Sequence, residues 1–260
     1  MTERRIELAQ ARILITNDDG IEAPGIRLLQ KIARDLSPDV WVVAPEQEQS
    51  GASHSLTTRR PLRLREQGAR RFVVDGTPTD CVLLALKRLL RERPPDLVLS
   101  GINAGANVGE DLTYSGTVAA AMEATLLGVP AMALSQHYRD GGPIPWETAE
   151  AYGPEVIRRL TGLPWPQHTL MNINFPAVPP AAVRGFAAAR QGRRDIADNL
   201  AEGVDPRGQP FFWIGPIRES GVAAPGTDLA AINEKFVSVT PIYLDLTNTP
   251  VLTALRTVLE

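Results

Sequence analysis

Apolar residues in the first half of the chain alternate between short solid runs and wider, helix-like spacing. Arg12 to Thr16, centred on Ile13-Leu14-Ile15, and Val40-Trp41-Val42-Val43 are short and apolar on both alternating faces, which predicts buried strands. Between them Ile26, Leu28, Leu29, Ile32 and Leu36 recur at helical spacing and predict an amphipathic helix over Pro24 to Leu36. The alternation continues with a helix over Thr79 to Leu90, a strand at Leu97-Val98-Leu99, an Ala-rich helix over Ser115 to Leu127 and a strand at Ala131 to Leu134. Gly128 and Pro130 end that third helix. Leu62-Arg63-Leu64 and Phe72-Val73-Val74 read as a short antiparallel excursion divided by a turn at Gly68. Strand and helix in turn predict the α/β class: a doubly wound, Rossmann-like, mostly parallel sheet.

The second half is less regular. A helix over Trp146 to Leu160 and a strand over Leu170 to Asn174 are followed by Pro176, Pro179 and Pro180, which interrupt the pattern. Turn signals at Gly192, Gly203, Gly208 and Gly226, with the apolar stretch Phe211-Phe212-Trp213-Ile214, predict hairpins; Val237-Ser238-Val239 is a late strand and Val251 to Leu259 a terminal helix. The expected organisation is a core over residues 1–180 and a β-rich, hairpin-bearing extension with a C-terminal helix over residues 181–260, serving oligomerisation within one structural unit.

Composition narrows the function classes. With 27 basic and 30 acidic residues the net charge is -3, so no broad basic field favours a nucleic-acid polymer or an anionic membrane. The single cysteine, Cys81, excludes an internal disulfide and any multi-cysteine metal site, and its place before Val82-Leu83-Leu84 favours a buried apolar role. The first residues carry no signal-peptide stretch, and no apolar run is long enough to span a bilayer, which together predict a cytoplasmic protein.

The candidate chemistry lies where strands end. In a doubly wound sheet the carboxyl ends of the parallel strands share one edge, and ligands bind in the crevice there. Polar loops follow three of the predicted strands: Asn17-Asp18-Asp19-Gly20, Pro45 to Ser55, and Ser100 to Asn107. Adjacent aspartates repel unless a cation or a shared proton compensates them, so Asp18 and Asp19 fit a hard metal ion; they equally fit a polar turn in which one caps the next helix. The loop from Gly101 to Tyr114 leads into Ser115-Gly116-Thr117, a helix start that can cradle phosphate or simply cap itself. Neither a G-x-G-x-x-G run after the first strand nor a G-x-x-x-x-G-K-[ST] run occurs, which removes support for dinucleotide or P-loop binding. Ser50-Gly51-Ala52-Ser53-His54-Ser55 does not spell a nucleophile elbow, so a metal-ligand role for this loop outranks a serine-hydrolase one. Asp80 reads as a helix-terminus partner, and Arg59, Arg60 and Arg194 are candidates for phosphate charge or ordinary surface arginines.

Taken in order, these motifs resemble the SurE family, the survival-protein-E 5′/3′-nucleotidases. The resemblance is carried by Ile13 to Gly20 with Ala23-Pro24-Gly25, Val43-Ala44-Pro45, Ser50 to Ser53, Gly76 to Val82, Ser100 to Gly105 and Tyr114 to Ala121. Asn172-Ile173-Asn174, Asp205 to Gly208, Trp213-Ile214-Gly215 and Gly226-Thr227-Asp228 extend it over nearly the whole chain. It implies a divalent-metal-dependent phosphomonoesterase acting on nucleoside 5′- and 3′-monophosphates, with short polyphosphate a further substrate of some members. By the resemblance Asp18, Asp19, Ser50 and Asn103 match the ligands of one Mg²⁺ or Mn²⁺ per subunit, with Asp18 and Asp19 also the catalytic pair. Asn17, Gly51, Asn107, Ser115, Gly116 and Thr117 match positions around the phosphate and substrate. A homodimer or homotetramer built by exchange of a hairpin and the C-terminal segment is implied as well. The loop Pro45-Glu46-Gln47-Glu48-Gln49-Ser50 departs from relatives, which often carry Asp and basic residues there; this bears on substrate preference and leaves the ligand set intact. Two rival readings are a covalent aspartyl-phosphate on one of the paired acids and a nucleotide-binding module without turnover.

Overall fold

A computed structural model describes residues 5–139, 141–193, 200–214 and 223–259. Its centre is the strand pair predicted first. β1 (Arg12–Thr16) pairs in parallel with β2 (Asp39–Pro45) on one side and with β5 (Leu97–Ala104) on the other. Ile13, Leu14 and Ile15 are all fully buried, and alternation sends Ile13 and Ile15 into one core layer and Leu14 into the other. A strand covered on both faces has no polar side, which is why its sequence is a solid apolar run.

The sheet has nine strands in the order β3-β4-β2-β1-β5-β6-β7-β11-β8, with β3 (Leu64–Gly68), β4 (Arg71–Val74), β6 (Ala131–Gln136), β7 (Thr169–Phe175), β8 (Phe186–Ala188) and β11 (Val237–Tyr243) completing it. Only the β3–β4 and β7–β11 pairings are antiparallel. α1 (Pro24–Leu36) and α4 (Trp146–Thr161) cover one face through Ile26, Leu29, Ile32, Val156 and Ile157. α2 (Pro78–Leu84) and α3 (Gly116–Leu126) cover the other through Cys81, Val82, Val118, Ala120 and Ala124. The doubly wound, mostly parallel architecture expected from the alternation is the one observed.

Four local features differ from the sequence reading. The strand expected to stop at Leu99 runs on to Ala104, and a register shift between Ser100 and Asn103 realigns Asn103 with Ser135. Buried Ile102 keeps the segment in the sheet despite its polar neighbours. The β3–β4 hairpin is no excursion: β4 pairs in parallel with β2, and the turn falls at Ala69-Arg70, with Gly68 paired to Arg71 inside the hairpin. The second helix is α-helical only to Leu84 and then widens to a π turn over Ala85–Leu89, where Leu90 N–H reaches Ala85 O at 2.8 Å. That wider turn leaves both Leu86 and Leu90 buried. Finally, β11 and β8, from the segment read as an extension, continue the main sheet beside β7, whereas β9 (Leu200–Val204) and β10 (Pro210–Ile214) form a separate antiparallel hairpin. α5 (Asp228–Asn233) precedes β11, and α6 (Thr249–Leu259) closes the chain with every residue from 249 to 259 exposed. Among the described residues no helix is long and apolar enough to cross a membrane.

One layer changes character toward the carboxyl ends of the strands. The face that carries Leu14, Val98, Ala133 and Leu170 becomes polar at Thr16, Ser100, Ser135, Asn172, Asn174, Ser238 and Thr240, all of them buried. Buried polar groups are retained where something needs them, and this floor lies below the predicted ligand edge.

Candidate metal and phosphate site

β1 delivers Asn17 to Gly20 into the crevice, and hydrogen bonds fix the turn from several sides. Asn17 is fully buried and its Nδ2 donates to Gly20 O at 2.8 Å, leaving Oδ1 without a partner. Asp18 accepts on Oδ1 from the Thr117 hydroxyl at the start of α3, and its carbonyl accepts from Gln49 N–H at 2.8 Å. Asp19 Oδ2 accepts from Ala104 N–H at 3.2 Å. Ile21 N–H donates to Pro45 O at 2.9 Å. The loops after β1, β2 and β5 and the helix start therefore meet at the aspartate pair, as strand-end convergence predicts.

The helix start fits against Asp18 so closely that only glycine is tolerated. A Cβ on Gly116 would lie 2.8 Å from Asp18 Cβ and 3.0 Å from Oδ2. Ser115 caps α3 by accepting from Val118 N–H at 3.1 Å, and both the hydroxyl and the main-chain N–H of Thr117 serve Asp18. In this arrangement the side chains of Ser115 and Thr117 shape the site by capping the helix and holding Asp18 against its start.

Ser50 and Asn103 flank the pair. Ser50 is exposed and donates to Glu48 Oε1 at 2.8 Å, and Gly51 beside it is open, with nothing within 4 Å of a built Cβ. Asn103 is half-buried, its Nδ2 donating to Gly105 O at 2.8 Å, which leaves the amide oxygen as its free coordinating atom. Asn107 sits deeper. Its N–H donates to Asn174 Oδ1 at 2.8 Å, its carbonyl accepts from Asn172 and Asn174, and its Nδ2 donates to Ser135 Oγ at 2.8 Å. It is thus a hub that ties the loop to the polar floor, with its amide nitrogen already engaged.

Both carboxyls lie above their ordinary range. Burial pushes the Asp18 carboxyl above its ordinary range, and burial together with the Asp18 charge pushes Asp19 up to about 6. Among the described residues no lysine or arginine pairs with either acid, and Glu48 adds further negative charge. A buried, uncompensated pair of carboxylates with neutral oxygens at its rim fits a hard divalent ion, and the all-oxygen set suits Mg²⁺ or Mn²⁺. Among the described residues no group of three or more His, Cys, Asp or Glu could hold a metal, so neutral donors have to complete the shell.

Other candidates go elsewhere. His54 pairs with Glu123 at 3.0 Å and Ser53 donates to Thr113 O at 2.7 Å, so that loop is pinned to α3 and no serine nucleophile is assembled. Cys81 is fully buried, with its thiol pushed well up by burial, and is inert packing. Asp80 forms a capping box with Thr77 and accepts from Thr57 N–H at 3.0 Å. Arg60 pairs with Asp75 at 3.5 Å, Arg59 is exposed, and Arg194 lies outside the described residues. Three contributors were not foreseen: Glu48, behind Ser50; the Asn172–Asn174 pair, whose polar-apolar-polar alternation does signal one shared face; and Tyr138, whose ring lies beside Gly105 with no signal in the sequence.

The chain is similar to known proteins in both sequence and fold. Residues 13–198 match the family described as Survival protein SurE. The chain is 57% identical over 246 residues to the 5'-nucleotidase SurE of Paramagnetospirillum magneticum, covering 95% of each chain. It is 52% identical over 252 residues to the 5'-nucleotidase SurE of Rhodospirillum rubrum, covering 96% of each. The crystal structure of the SurE protein from Aquifex aeolicus matches with a TM-score of 0.84 at 40% identity, over 96% of this chain and 100% of that one.

Proposed function

The chain belongs to the survival protein SurE family, and from that premise we propose that it is a 5′-nucleotidase, a phosphomonoesterase that releases phosphate from nucleoside monophosphates. The observation that carries this reading is the buried, uncompensated Asp18–Asp19 pair set against the N-terminus of α3. Asp18, Asp19, Ser50 and Asn103 would hold one divalent ion per subunit, Mg²⁺ or Mn²⁺. Bound there, such an ion supplies positive charge to the phosphoryl oxygens and lowers the pKa of an attacking water.

The chain's own groups do the rest. Thr117 orients Asp18, and Ala104 N–H holds Asp19. Glu48 takes the hydroxyl hydrogen of Ser50, so that the lone pairs of Ser50 are free to face the site. Gly116 lets Asp18 lie directly against the α3 start, so that a phosphoryl group held at the aspartate pair would sit close to the N-terminal end of that helix, where charge developing in the transition state is stabilised by a few kcal/mol per well-placed donor. Asn17, Gly51, Asn107 and Ser115 complete the substrate-binding set as positions that shape the crevice.

Nucleoside 3′-monophosphates and short polyphosphate are the further substrates of this reading. A homodimer or homotetramer also belongs to it, supported by the exposed apolar side chains Phe212, Trp213 and Ile214 on the β9–β10 hairpin and Val251, Leu255 and Val258 on α6. A reducing compartment, the cytoplasm, suits a chain whose one cysteine is a buried free thiol. The test is phosphate release from AMP with Mn²⁺ or Mg²⁺, repeated with chelator and with a panel of 3′-nucleotides and tripolyphosphate, and sedimentation of the same preparation. Steady metal-dependent release from AMP is expected. A protein that binds AMP but releases no phosphate with either metal overturns the enzymatic reading, and a monomer on sedimentation overturns the assembly.

A further inference from the structure

One aromatic side chain, Tyr138, stands beside Gly105 without a polar or ring partner among the described residues. β6 runs beside β5 with Asn103 opposite Ser135 and Ala104 opposite Gln136, so the chain leaves β6 directly alongside the Asn103–Gly105 segment. The bond from Gly105 N–H to Gln136 O, 3.0 Å, holds the two together. A Cβ built on Gly105 would lie 3.7 Å from Asn103 Nδ2 and 3.9 Å from Tyr138 Cε1, and it would meet no other side chain within 4 Å. The absent side chain thus leaves an opening walled by the coordinating asparagine on one side and a tyrosine ring on the other. Tyr138 is half-buried, and among the described residues neither its hydroxyl nor its ring has a hydrogen-bond, ion-pair or ring partner. The next residue, Arg139, enters a groove of about 280 Å³ walled mainly by Pro143, Pro145, Val178 and Pro179.

We infer that Tyr138 is the platform on which the nucleoside base stacks while its phosphate sits at Asp18 and Asp19. The inference rests on the nucleotidase reading of that site and adds to it the subsite that holds the base. Ala104 N–H holds Asp19, and the ring of Tyr138 lies beside the next residue, Gly105, so an aromatic surface stands on this flank of the aspartate pair. A cleft on the other flank, formed by Glu46, Gln47, Gln49, Arg60 and Asp75, offers polar edges and an existing ion pair but no aromatic face. Stacking on an aromatic ring accepts any base because every base has a π-face, so this subsite makes the enzyme tolerant of base identity.

The experiment compares AMP with ribose 5-phosphate, the same ester without its base, in wild-type protein, Tyr138→Ala and Tyr138→Phe, together with equilibrium binding of adenosine under chelator. Tyr138→Ala is expected to raise the KM for AMP about tenfold, corresponding to about 1.4 kcal/mol. It should move kcat/KM for ribose 5-phosphate by no more than about twofold, which also reports a folded site, and Tyr138→Phe should restore the AMP value. Equal losses on the two esters, an unchanged KM for AMP, or a tenfold effect found in Tyr114→Ala or Gln47→Ala in place of Tyr138→Ala overturns the proposal. If wild-type protein hydrolyses neither ester, the nucleotidase reading has failed by itself, and adenosine binding still decides the subsite: weaker in Tyr138→Ala supports it, unchanged overturns it.

Discussion

Asp18 lies two residues past the end of β1, and Asp39 opens β2 at the opposite edge of the sheet; both are aspartates held largely out of water, and the protein treats them in opposite ways. Around Asp39, Arg12 donates through Nε at 2.9 Å, Arg70 lies at 3.1 Å and Arg93 at 3.6 Å, and Trp41 Nε1 donates at 2.9 Å. Burial alone would raise the Asp39 carboxyl, but the bonds from Arg12 and Trp41 and the charges of Arg12 and Arg70 outweigh it and hold the group below the ordinary range. At Asp18 and Asp19 burial wins, because no cationic side chain among the described residues answers it. One edge of the sheet is electrostatically finished by the chain, and the other is left for something brought from outside. Uncompensated buried charge is unfavourable for folding, so its presence at the ligand edge argues that the edge is kept for binding.

The largest effect that would break this comparison is at Asp18. Asp18→Asn keeps the size and the Thr117 contact and removes one charge, and it is expected to lower kcat/KM for AMP by roughly 10³-fold, about 4 kcal/mol of transition-state stabilisation. Its melting temperature without metal should not fall. A variant with more than a tenth of wild-type activity would show that the pair is only a polar turn. Next is Gly116→Ala, whose new methyl cannot coexist with Asp18 at 2.8 Å. Displacing Asp18 should lower kcat/KM by roughly 10- to 100-fold, the rate equivalent of the 1–3 kcal/mol typical of overpacking. Full activity would mean that the helix start and the carboxylate can separate without consequence.

The two edges were not equally legible in the sequence. Ile13-Leu14-Ile15 announces β1, and strand-end convergence brings Asp18, Asp19, Ser50 and Asn103 to one crevice, because a parallel sheet leaves little freedom in where its strands end. What escaped reading depended on contacts between distant segments. Asn103 was expected in a loop and lies in β5, since the register shift after Ser100 is set by the pairing with β6 and not by local propensity. Asn107, proposed for the phosphate pocket, also ties its amide nitrogen to Ser135, a partner 28 residues away that no local pattern announces. The cluster at Asp39 was invisible for the same reason: Arg12, Arg70 and Arg93 converge only after three segments are folded side by side.

A smaller effect sharpens the contrast from the finished edge. Asp39→Asn leaves the largely buried guanidinium of Arg12 without its partner and should reduce unfolding free energy by about 1–3 kcal/mol, read by urea denaturation. Hydrolysis of AMP should stay within about twofold of wild type, because this end of β2 is remote from the crevice. Loss of activity without loss of stability would contradict the division of labour between the edges.

The smallest effect distinguishes the edges by the sign of their pH dependence. Asp39 has a folded pKa below its unfolded value, so its contribution to stability is complete above the unfolded pKa and is lost as the pH falls through the folded one. Asp19 is the reverse: its folded value of about 6 lies above the ordinary 3.8, so the fold prefers it protonated. In protein freed of divalent metal, stability should therefore decline as the pH rises from about 4 to about 6, by about 1 kcal/mol once solvent screening of this partly exposed group is allowed for, or roughly 2–4 °C in melting temperature. Comparison with Asp19→Asn isolates the Asp19 contribution, since that variant keeps the decline due to Asp18 and loses the share due to Asp19. Mn²⁺ added at pH 7 should restore what was lost, by about 2.7 kcal/mol at a concentration one hundred times its dissociation constant. If wild-type and Asp19→Asn melting temperatures run parallel from pH 4 to 6 without metal, the carboxylate is already compensated within the chain, and the crevice is electrostatically finished in the same way as the edge at Asp39.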